Sequence, residues 1–134
     1  MGIATSFQLT LGQAIIDVTY SCSRPRFSQL GLKVAITEAD VRTFVNNATE
    51  QVPTDNLAIP AHVYYYSQML KTCLAVRSCI SSTVWGFGDK DAWVPGWFTG
   101  EGYAGIYDVH LQPKPAYTEL QQDLKLAANG APRR

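Results

Sequence analysis

Two carboxylates stand close together at the end of an apolar run. Glu38 and Asp40 follow residues 31–37, a near-continuous apolar stretch that is typical of a buried parallel strand. Alternation along an extended chain predicts that both side chains point to the same side. In a parallel α/β barrel this end of the strand lies at the catalytic face, so paired acids there favour carboxylate chemistry. The alternative is structural, with Glu38 opening the next loop and Asp40 capping it.

Tryptophans form a second group of residues with possible chemistry. Trp85 ends a third strand-like run, residues 82–87, and Trp93 follows in the next loop. An indole presents a flat apolar face to the C–H face of a sugar ring, while nearby acids and amides bind its hydroxyls. We therefore predict that Trp85 and Trp93 bind a carbohydrate. For Trp97 and Tyr107 we expect packing in the core or the loop.

The elements that must position these residues alternate between strand and helix. This order predicts an α/β fold of parallel βα units, about three of them, in one domain. The expected elements are strands at 3–11, 31–37, 82–87 and near 105–107, helices at 59–74 and 115–126, and a short helix at 27–30. Three units are too few to close an eight-stranded barrel, so we expect exposed strand edges, poor solubility or pairing with another chain.

Charge and hydropathy exclude several classes of partner. The 11 basic and 11 acidic residues cancel and form no block, so neither nucleic acid nor an anionic membrane surface is predicted as a partner. No apolar run approaches the roughly 18 residues that a membrane span needs. The N-terminus also lacks the pattern of a secretory signal, which predicts that the chain as written is not exported and stays cytoplasmic.

The cysteines and one sequon point toward export. Cys73 and Cys79 are close enough to close a small disulfide loop, and Asn47-Ala48-Thr49 could accept a glycan. The alternatives are two reduced cysteines and an unused sequon. Cys22 has no obvious partner. A metal site built from His62, His110 and the cysteines is disfavoured because their spacing does not fit metal ligation, and we predict no metal or cofactor.

Four segments resemble glycoside hydrolase family 10, in the order in which that family carries them. Residues 34–41, VAITEADV, are similar to its ITELDV strand, and residues 83–93, TVWGFGDKDAW, to its TVWGFTDKxSW segment. Residues 73–79 resemble its disulfide loop, and residues 107–117 its closing YDxxxxPKPAY segment. The family consists of secreted endo-β-1,4-xylanases with an eight-stranded βα barrel, which hydrolyse xylan with retention of configuration.

The resemblance implies a fold and a set of roles. Residues 1–128 would form the C-terminal part of a (β/α)8 TIM barrel, about its last three βα units, and 129–134 a flexible tail. Glu38 would be the nucleophile, Trp85 and Trp93 would bind xylan or a xylo-oligosaccharide, and a disulfide would join Cys73 to Cys79. Asp40 and Gln8 would support the nucleophile; at Gln8 the family carries a His, and a Gln amide cannot hold a positive charge.

One part of the family's catalytic pair has no match in this sequence. The acid/base Glu of the family lies in a WDVVNE segment, to which nothing here is similar. We therefore expect the chain alone to hydrolyse no xylan, and its partner to be the missing barrel half or a second copy. The alternative is a non-catalytic remnant, or the product of an inactive gene fragment, that at most binds xylo-oligosaccharide.

Overall fold

Alternating strands and helices build the chain, as the sequence predicts. The structure, a computed structural model, describes the backbone of residues 2–10 and both backbone and side chains of residues 30–130. Within these ranges the elements are β1 (Gly2–Thr10), β2 (Lys33–Phe44), α1 (Ala58–Ala75), β3 (Cys79–Val84), a 3-10 turn (Asp89–Asp91), α2 (Val94–Trp97), β4 (Glu101–Gly102) and α3 (Pro115–Asn129).

The three longer strands form a parallel sheet in the order β1-β2-β3. Helix α1 makes the crossover from β2 to β3, which is the βα connection that parallel neighbours require. The short strand β4 pairs antiparallel with the far end of β2, through Thr43 opposite Gly102. The sheet therefore has β2 at its centre, with a neighbour on either side.

A β-bulge interrupts β2 at Thr37. On β1, Thr5 pairs with Ile36 and the next residue, Ser6, pairs with Glu38, so Thr37 is the extra residue. A bulge bends the strand and changes which side chains face each side. As a result Ile36 and then Ala39, rather than Glu38, face the helices.

The hydrophobic core lies between this sheet and the two long helices. Pro60 fits the first turn of α1, where its missing N–H costs no hydrogen bond. Burying each large apolar side chain contributes about 1.5–3 kcal/mol. Ser67 on α1 donates a hydrogen bond of 2.7 Å to Asp123 on α3, which ties the two helices together. The buried core residues are Val34, Ile36, Ala39, Val41, Tyr66, Met69, Cys73, Cys79 and Ala116.

The predicted end of the central strand is wrong. The strand does not stop at residue 37 but continues to Phe44, so Glu38 and Asp40 lie within it and not just past its end. The reason is pairing on both sides, since β1 follows β2 as far as Arg42 and β4 pairs with its last two residues. The structural alternative, in which Glu38 opens a loop and Asp40 caps it, is wrong for the same reason.

The other boundaries differ by less. Strand β3 begins and ends three residues earlier than predicted, and the expected strand near 105–107 is reduced to isolated bridges from Tyr107 to Gly88 and Pro113. Both long helices are confirmed, but α3 continues to Asn129, so residue 129, predicted as the start of a flexible tail, lies in the helix. Residues 131–134 of that predicted tail lie outside the described residues. The helix expected at 27–30 lies mostly outside the described residues, as does Cys22.

Two aromatic residues behave differently from each other. Trp97 is 79% exposed, so the expectation that it packs in the core or the loop is wrong. Helix α2, which carries it, is a single turn and offers no second layer to cover the ring. Tyr107 does pack, with its ring stacked 4.4 Å from that of Phe87. In the described part of the chain, no helix has the length and apolar character needed to cross a bilayer.

Candidate active site

Three polar side chains alternate along one face of β2. Ala39, Val41 and Thr43 are buried, the first two in the core against α1, which leaves Glu38, Asp40 and Arg42 on the opposite face. Asp40 is 3% exposed, while Glu38 and Arg42 are partly buried. The bulge at Thr37 thus places two acids and one base in a row on the face that a barrel would enclose.

Asp40 is bound to one of the predicted sugar-binding residues. The indole Nε1 of Trp93 donates a hydrogen bond of 2.7 Å to Asp40 Oδ2. The Trp93 ring also meets the ring of Phe98 edge to face, with centroids 5.7 Å apart. Two contacts of different kinds therefore fix the orientation of the indole, and one of them comes from the strand that carries Glu38.

The environment of Asp40 favours its protonated form. Burial is the main reason that the pKa of Asp40 is raised to about 6, and the nearby charge of Glu38 contributes to the same increase. The hydrogen bond from Trp93 acts in the opposite direction and lowers this pKa, as does the positive charge of Arg42. The carboxyl group of Asp40 therefore changes its charge in the mildly acidic range.

Arg42 makes a second connection between β2 and the loop that carries Trp93. Its Nε donates a hydrogen bond of 2.5 Å to Glu101, and its guanidinium lies 3.6 Å from the centroid of the Phe98 ring. Because the Phe98 ring packs against Trp93, Arg42 stabilises the position of the indole indirectly, through Phe98. Arg42 is not among the site residues predicted from the sequence, although the alternation through residues 38, 40 and 42 is a signal that could have found it.

Trp85 reaches the site from the neighbouring strand. It directly follows Val84, which is the sheet partner of Ala39, and its backbone N–H donates to Ala39 O at 3.1 Å. The Tyr66 hydroxyl also lies 3.2 Å from this carbonyl oxygen. The carbonyl oxygen of Ala39, between Glu38 and Asp40, is therefore contacted by groups from two other elements, and the ring of Trp85 remains 49% exposed.

A buried ion pair anchors the start of the Trp93 loop. Asp89 and Lys114 are both buried, and the Lys114 ammonium contacts Asp89 Oδ2 and donates to Gly105 O at 2.9 Å. The other oxygen of Asp89 accepts a hydrogen bond of 2.8 Å from Gly105 N. Burial lowers the pKa of Lys114 to about 8, and the charge of Asp89 opposes this shift. Neither residue was singled out by the sequence analysis.

The disulfide that the resemblance implies is present. Cys73, near the end of α1, is bonded to Cys79 at the start of β3, with their Cα atoms 5.2 Å apart. This separation lies within the range that disulfides require. The bond closes the tight connection that leads into β3 and hence toward Trp85.

Comparison with known proteins decides the family. The family model described as Glycosyl hydrolase family 10 matches residues 9–123. The chain belongs to this family. It is 32% identical over 131 residues to endo-1,4-beta-xylanase 5 of Pyricularia oryzae, an alignment that covers 98% of this chain and 31% of the other. The chain thus spans about a third of the length of such family 10 relatives.

Solved family 10 structures confirm the fold. A glycosylated endo-β-1,4-xylanase from Gloeophyllum trabeum matches with a TM-score of 0.75 and 25% identity, over 93% of this chain and 37% of that one. The family 10 xylanase from Bispora sp., solved with xylobiose, matches with a TM-score of 0.72 and 28% identity, over 91% and 36%. The expected fold, part of a (β/α)8 barrel, is therefore confirmed.

Two other sequence predictions concern residues at or near this family 10 site. Gln8 is the sheet partner of Asp40, so its backbone lies beside the acid pair, but the side chains of β1 are outside the described residues.

His62 lies on α1 and is buried between the rings of Tyr66 and Tyr103, where burial lowers its pKa to about 3. In the part of the chain that the structure describes, no three His, Cys, Asp or Glu side chains converge on a possible metal position.

Proposed function

We propose that this chain forms the nucleophile-bearing part of a retaining endo-β-1,4-xylanase, with Glu38 as the nucleophile. The observation that carries the proposal is the row of Glu38 and Asp40 on the inner face of β2, where Asp40 holds the indole of Trp93. An acid pair beside an oriented indole supplies a carboxylate for the sugar's anomeric carbon and a surface for its ring. Membership of family 10 supports the same reading.

The proposed reaction assigns one step to this chain. The Glu38 carboxylate attacks the anomeric carbon and forms a covalent glycosyl-enzyme, which water then hydrolyses. A second carboxyl group protonates the leaving oxygen and later activates the water, and retention requires it about 5–5.5 Å from the first. We place that second group outside residues 30–130, because no segment there resembles the family's WDVVNE motif.

Xylan or a xylo-oligosaccharide is the proposed substrate. Two of the matched structures, from Bispora sp. and Thermotoga petrophila, were solved with xylobiose. In this chain the half-exposed ring of Trp85 and the oriented ring of Trp93 are the surfaces that a xylose ring would contact.

Asp40 and Gln8 are assigned supporting roles. Asp40 keeps Trp93 in place and, when it is ionised, adds a negative charge beside Glu38. Gln8, at the position where the family carries a His, would donate an uncharged hydrogen bond to Glu38. This arrangement gives the nucleophile no positive neighbour from β1, so we propose that it is tuned differently from that of the His-bearing enzymes.

Secretion is part of the proposal. The disulfide between Cys73 and Cys79 persists only in an oxidising compartment, which suits an enzyme that acts on extracellular polysaccharide.

A chimeric barrel tests the role of Glu38. This chain replaces the matching third of Pyricularia oryzae endo-1,4-beta-xylanase 5, so that the relative supplies the remaining strands. Glu38→Ala should abolish xylan hydrolysis, and azide should restore turnover of an activated aryl xylobioside with the α-configured xylobiosyl azide as product. This stereochemistry follows because azide occupies the side of the sugar that the nucleophile vacates.

Matched variants separate the possible outcomes. Glu50→Ala and Glu119→Ala alter carboxylates outside the site and should leave the activity of the chimera unchanged. An active chimera whose hydrolysis survives Glu38→Ala would exclude Glu38 as the nucleophile. A folded chimera that binds xylobiose but hydrolyses nothing would favour the non-catalytic binding alternative.

A further inference from the structure

We propose that Asn47 is a glycosylation site and carries an N-linked glycan when the protein passes through a secretory compartment. Asn47-Ala48-Thr49 has the acceptor pattern, with a residue other than proline in the middle and a hydroxyl two residues after the asparagine. All three residues are exposed, in a turn that follows β2. The inference is independent of the proposed xylanase activity.

The conformation of the turn presents the amide nitrogen of Asn47. Its Oδ1 accepts hydrogen bonds from Thr49 N at 3.0 Å and from Glu50 N at 2.7 Å, which is an Asx-turn. Because the oxygen faces these N–H groups, the nitrogen on the same carbon points away from them. Among the described residues, Nδ2 makes no hydrogen bond that would have to be broken before modification.

The turn keeps this geometry without help from Nδ2. Gln51 N donates to Asn47 O at 3.1 Å and closes the turn, with Gln51 in the left-handed region at φ 51°. Gln51 itself is fixed, since its buried side chain donates to Asp89 O and accepts from Tyr103 N, both at 2.8 Å. The acceptor turn is therefore attached to the buried cluster around Asp89.

Asn46 provides a comparison within the same turn. It is also exposed, but its Oδ1 accepts from Asn47 N at 2.8 Å and Val52 N at 3.1 Å, and the residue two positions after it is Ala48. Without a hydroxyl at that position Asn46 lacks the acceptor pattern. Two neighbouring asparagines with similar exposure thus differ in the feature that the modifying enzyme requires.

The proposed step transfers a preassembled oligosaccharide from a lipid diphosphate. Asn47 Nδ2 attacks the anomeric carbon of the first sugar, the new C–N bond replaces the bond from that carbon to the diphosphate oxygen, and Nδ2 loses one proton. The lipid diphosphate leaves. The disulfide between Cys73 and Cys79 indicates the oxidising compartment in which this donor is encountered.

A glycan at this position would lie beside apolar surface. Phe44 and Val52 are 61% and 52% exposed, and Val52 O accepts a hydrogen bond of 2.9 Å from Asn46 N in the same turn. A bulky, hydrated sugar chain next to these side chains would cover them and improve solubility.

The test is secretion of the full chain from a yeast host behind that host's own signal. Thiol titration in denaturant first shows that the secreted chain holds its disulfide and so has passed through the oxidising compartment. Mass spectrometry is then performed before and after peptide-N-glycosidase treatment in water labelled with heavy oxygen. We expect a glycan mass that the enzyme removes, leaving the heavy-oxygen label on the residue at position 47.

Four variants define the result. Asn47→Gln and Thr49→Val should abolish the glycan mass, whereas Thr49→Ser and Asn46→Gln should retain it. A disulfide-bonded, secreted chain that carries no removable glycan would overturn the proposal, as would a glycan mass that persists in Asn47→Gln. None of these outcomes depends on Glu38 or on xylan, so failure here leaves the proposed catalytic role untouched.

Discussion

The indole N–H of Trp93 and the buried carboxyl group of Asp40 are joined by a hydrogen bond of 2.7 Å that crosses from a loop to the central strand. Asp40 stands two residues after Glu38 on the same face of that strand, so the bond connects the proposed sugar-binding ring to the strand that carries the proposed nucleophile. Arg42, two residues further on, supports the same indole through Phe98. The position of the indole and that of the acid row are therefore set together.

Replacing Trp93 by Phe should impair the chimeric xylanase more than replacing Trp85 by Phe. Hydrogen bonds to charged groups contribute about 1.5–3 kcal/mol, so loss of the indole donor should lower kcat/KM roughly tenfold or more. The bond lowers the pKa of Asp40, so its loss should raise that pKa and move the acid limb of the pH profile to higher pH. The pH dependence of kcat/KM for both variants is the measurement. An unchanged acid limb in Trp93→Phe would show that this bond does not set the pKa that the limb reports.

The paired acids and their shared side could be predicted from the sequence, but the face of the sheet that they occupy could not. Simple alternation from Ile36 would place Glu38 on the core side, because Ile36 itself is buried against the helices. The bulge at Thr37 reverses this, and it arises from the register of pairing with β1 and β3, which a single strand's pattern does not contain. The direction of Glu38 is thus a property of three strands together.

Asp40→Asn should stabilise the chain at neutral pH. The pKa of Asp40 is about 6 in the folded protein against 3.8 in the unfolded chain, so the folded state binds the extra proton between these values. Stability from this group therefore falls as pH rises from 3.8 to 6, and the loss is complete above pH 6. At about 1.36 kcal/mol per pKa unit, the substitution should add at most about 3 kcal/mol at pH 7.

Urea unfolding of the parent chain and Asp40→Asn at pH 4 and pH 7 measures this difference. The Asn side chain can still accept from Trp93, so the variant changes the charge and keeps the contact. Asp91 is an exposed acid close to Trp93 in sequence, and Asp91→Asn is the control. It should change the free energy of unfolding by less than about 0.5 kcal/mol. An Asp40→Asn variant that is less stable than the parent at pH 7 would contradict the expected free-energy cost of ionising the buried Asp40.

Replacing one member of the buried pair of Asp89 and Lys114 should reduce the stability of the fold strongly, whereas replacing both should reduce it much less than the two single losses combined. Either Asp89→Asn or Lys114→Met alone leaves one unpaired polar or charged group in the interior, which typically costs about 3–5 kcal/mol. The double variant leaves no isolated charge, so its loss of stability should be well below the sum of the two single losses. Thermal and urea unfolding of the three variants gives this comparison.

An exposed pair provides the control for that cycle. His110 and Glu50 lie 3.3 Å apart on the surface, and Glu50→Gln should have almost no effect because exposed pairs contribute about 0–1 kcal/mol. Additive losses for Asp89→Asn and Lys114→Met would show that the two buried side chains act independently.

The residues of that pair illustrate a second limit of the sequence. Both lie in segments that the family resemblance picked out, Asp89 after Trp85 and Lys114 before the last helix, yet nothing in the spacing brings them together. Their contact depends on Tyr107 bridging back to Gly88 and on the backbone of Gly105. By contrast, the two long helices follow from local periodicity and flanking prolines, and both were placed to within three residues.

Thiol counting checks the disulfide. The chain has three cysteines, so titration in denaturant should find one thiol before reduction and three after it when the protein is made in an oxidising compartment. Closing so short a loop should stabilise the fold by about 2–3 kcal/mol, which the double variant Cys73→Ser/Cys79→Ser would lose. Equal titration before and after reduction would show that the bond does not form.

The 134-residue chain by itself should release no reducing sugar from xylan above the level of a buffer control. Retaining hydrolysis needs a second carboxyl group opposite the nucleophile, and loss of general acid catalysis costs on the order of 100- to 10,000-fold. Asp40 lies on the same strand as Glu38, and its carboxyl group already accepts the hydrogen bond from Trp93. It therefore cannot act as the acid/base on the opposite side of the scissile bond. The measurement is reducing-sugar release by the purified chain and by Glu38→Gln. Release that disappears in Glu38→Gln would mean that the acid/base is present within this chain after all.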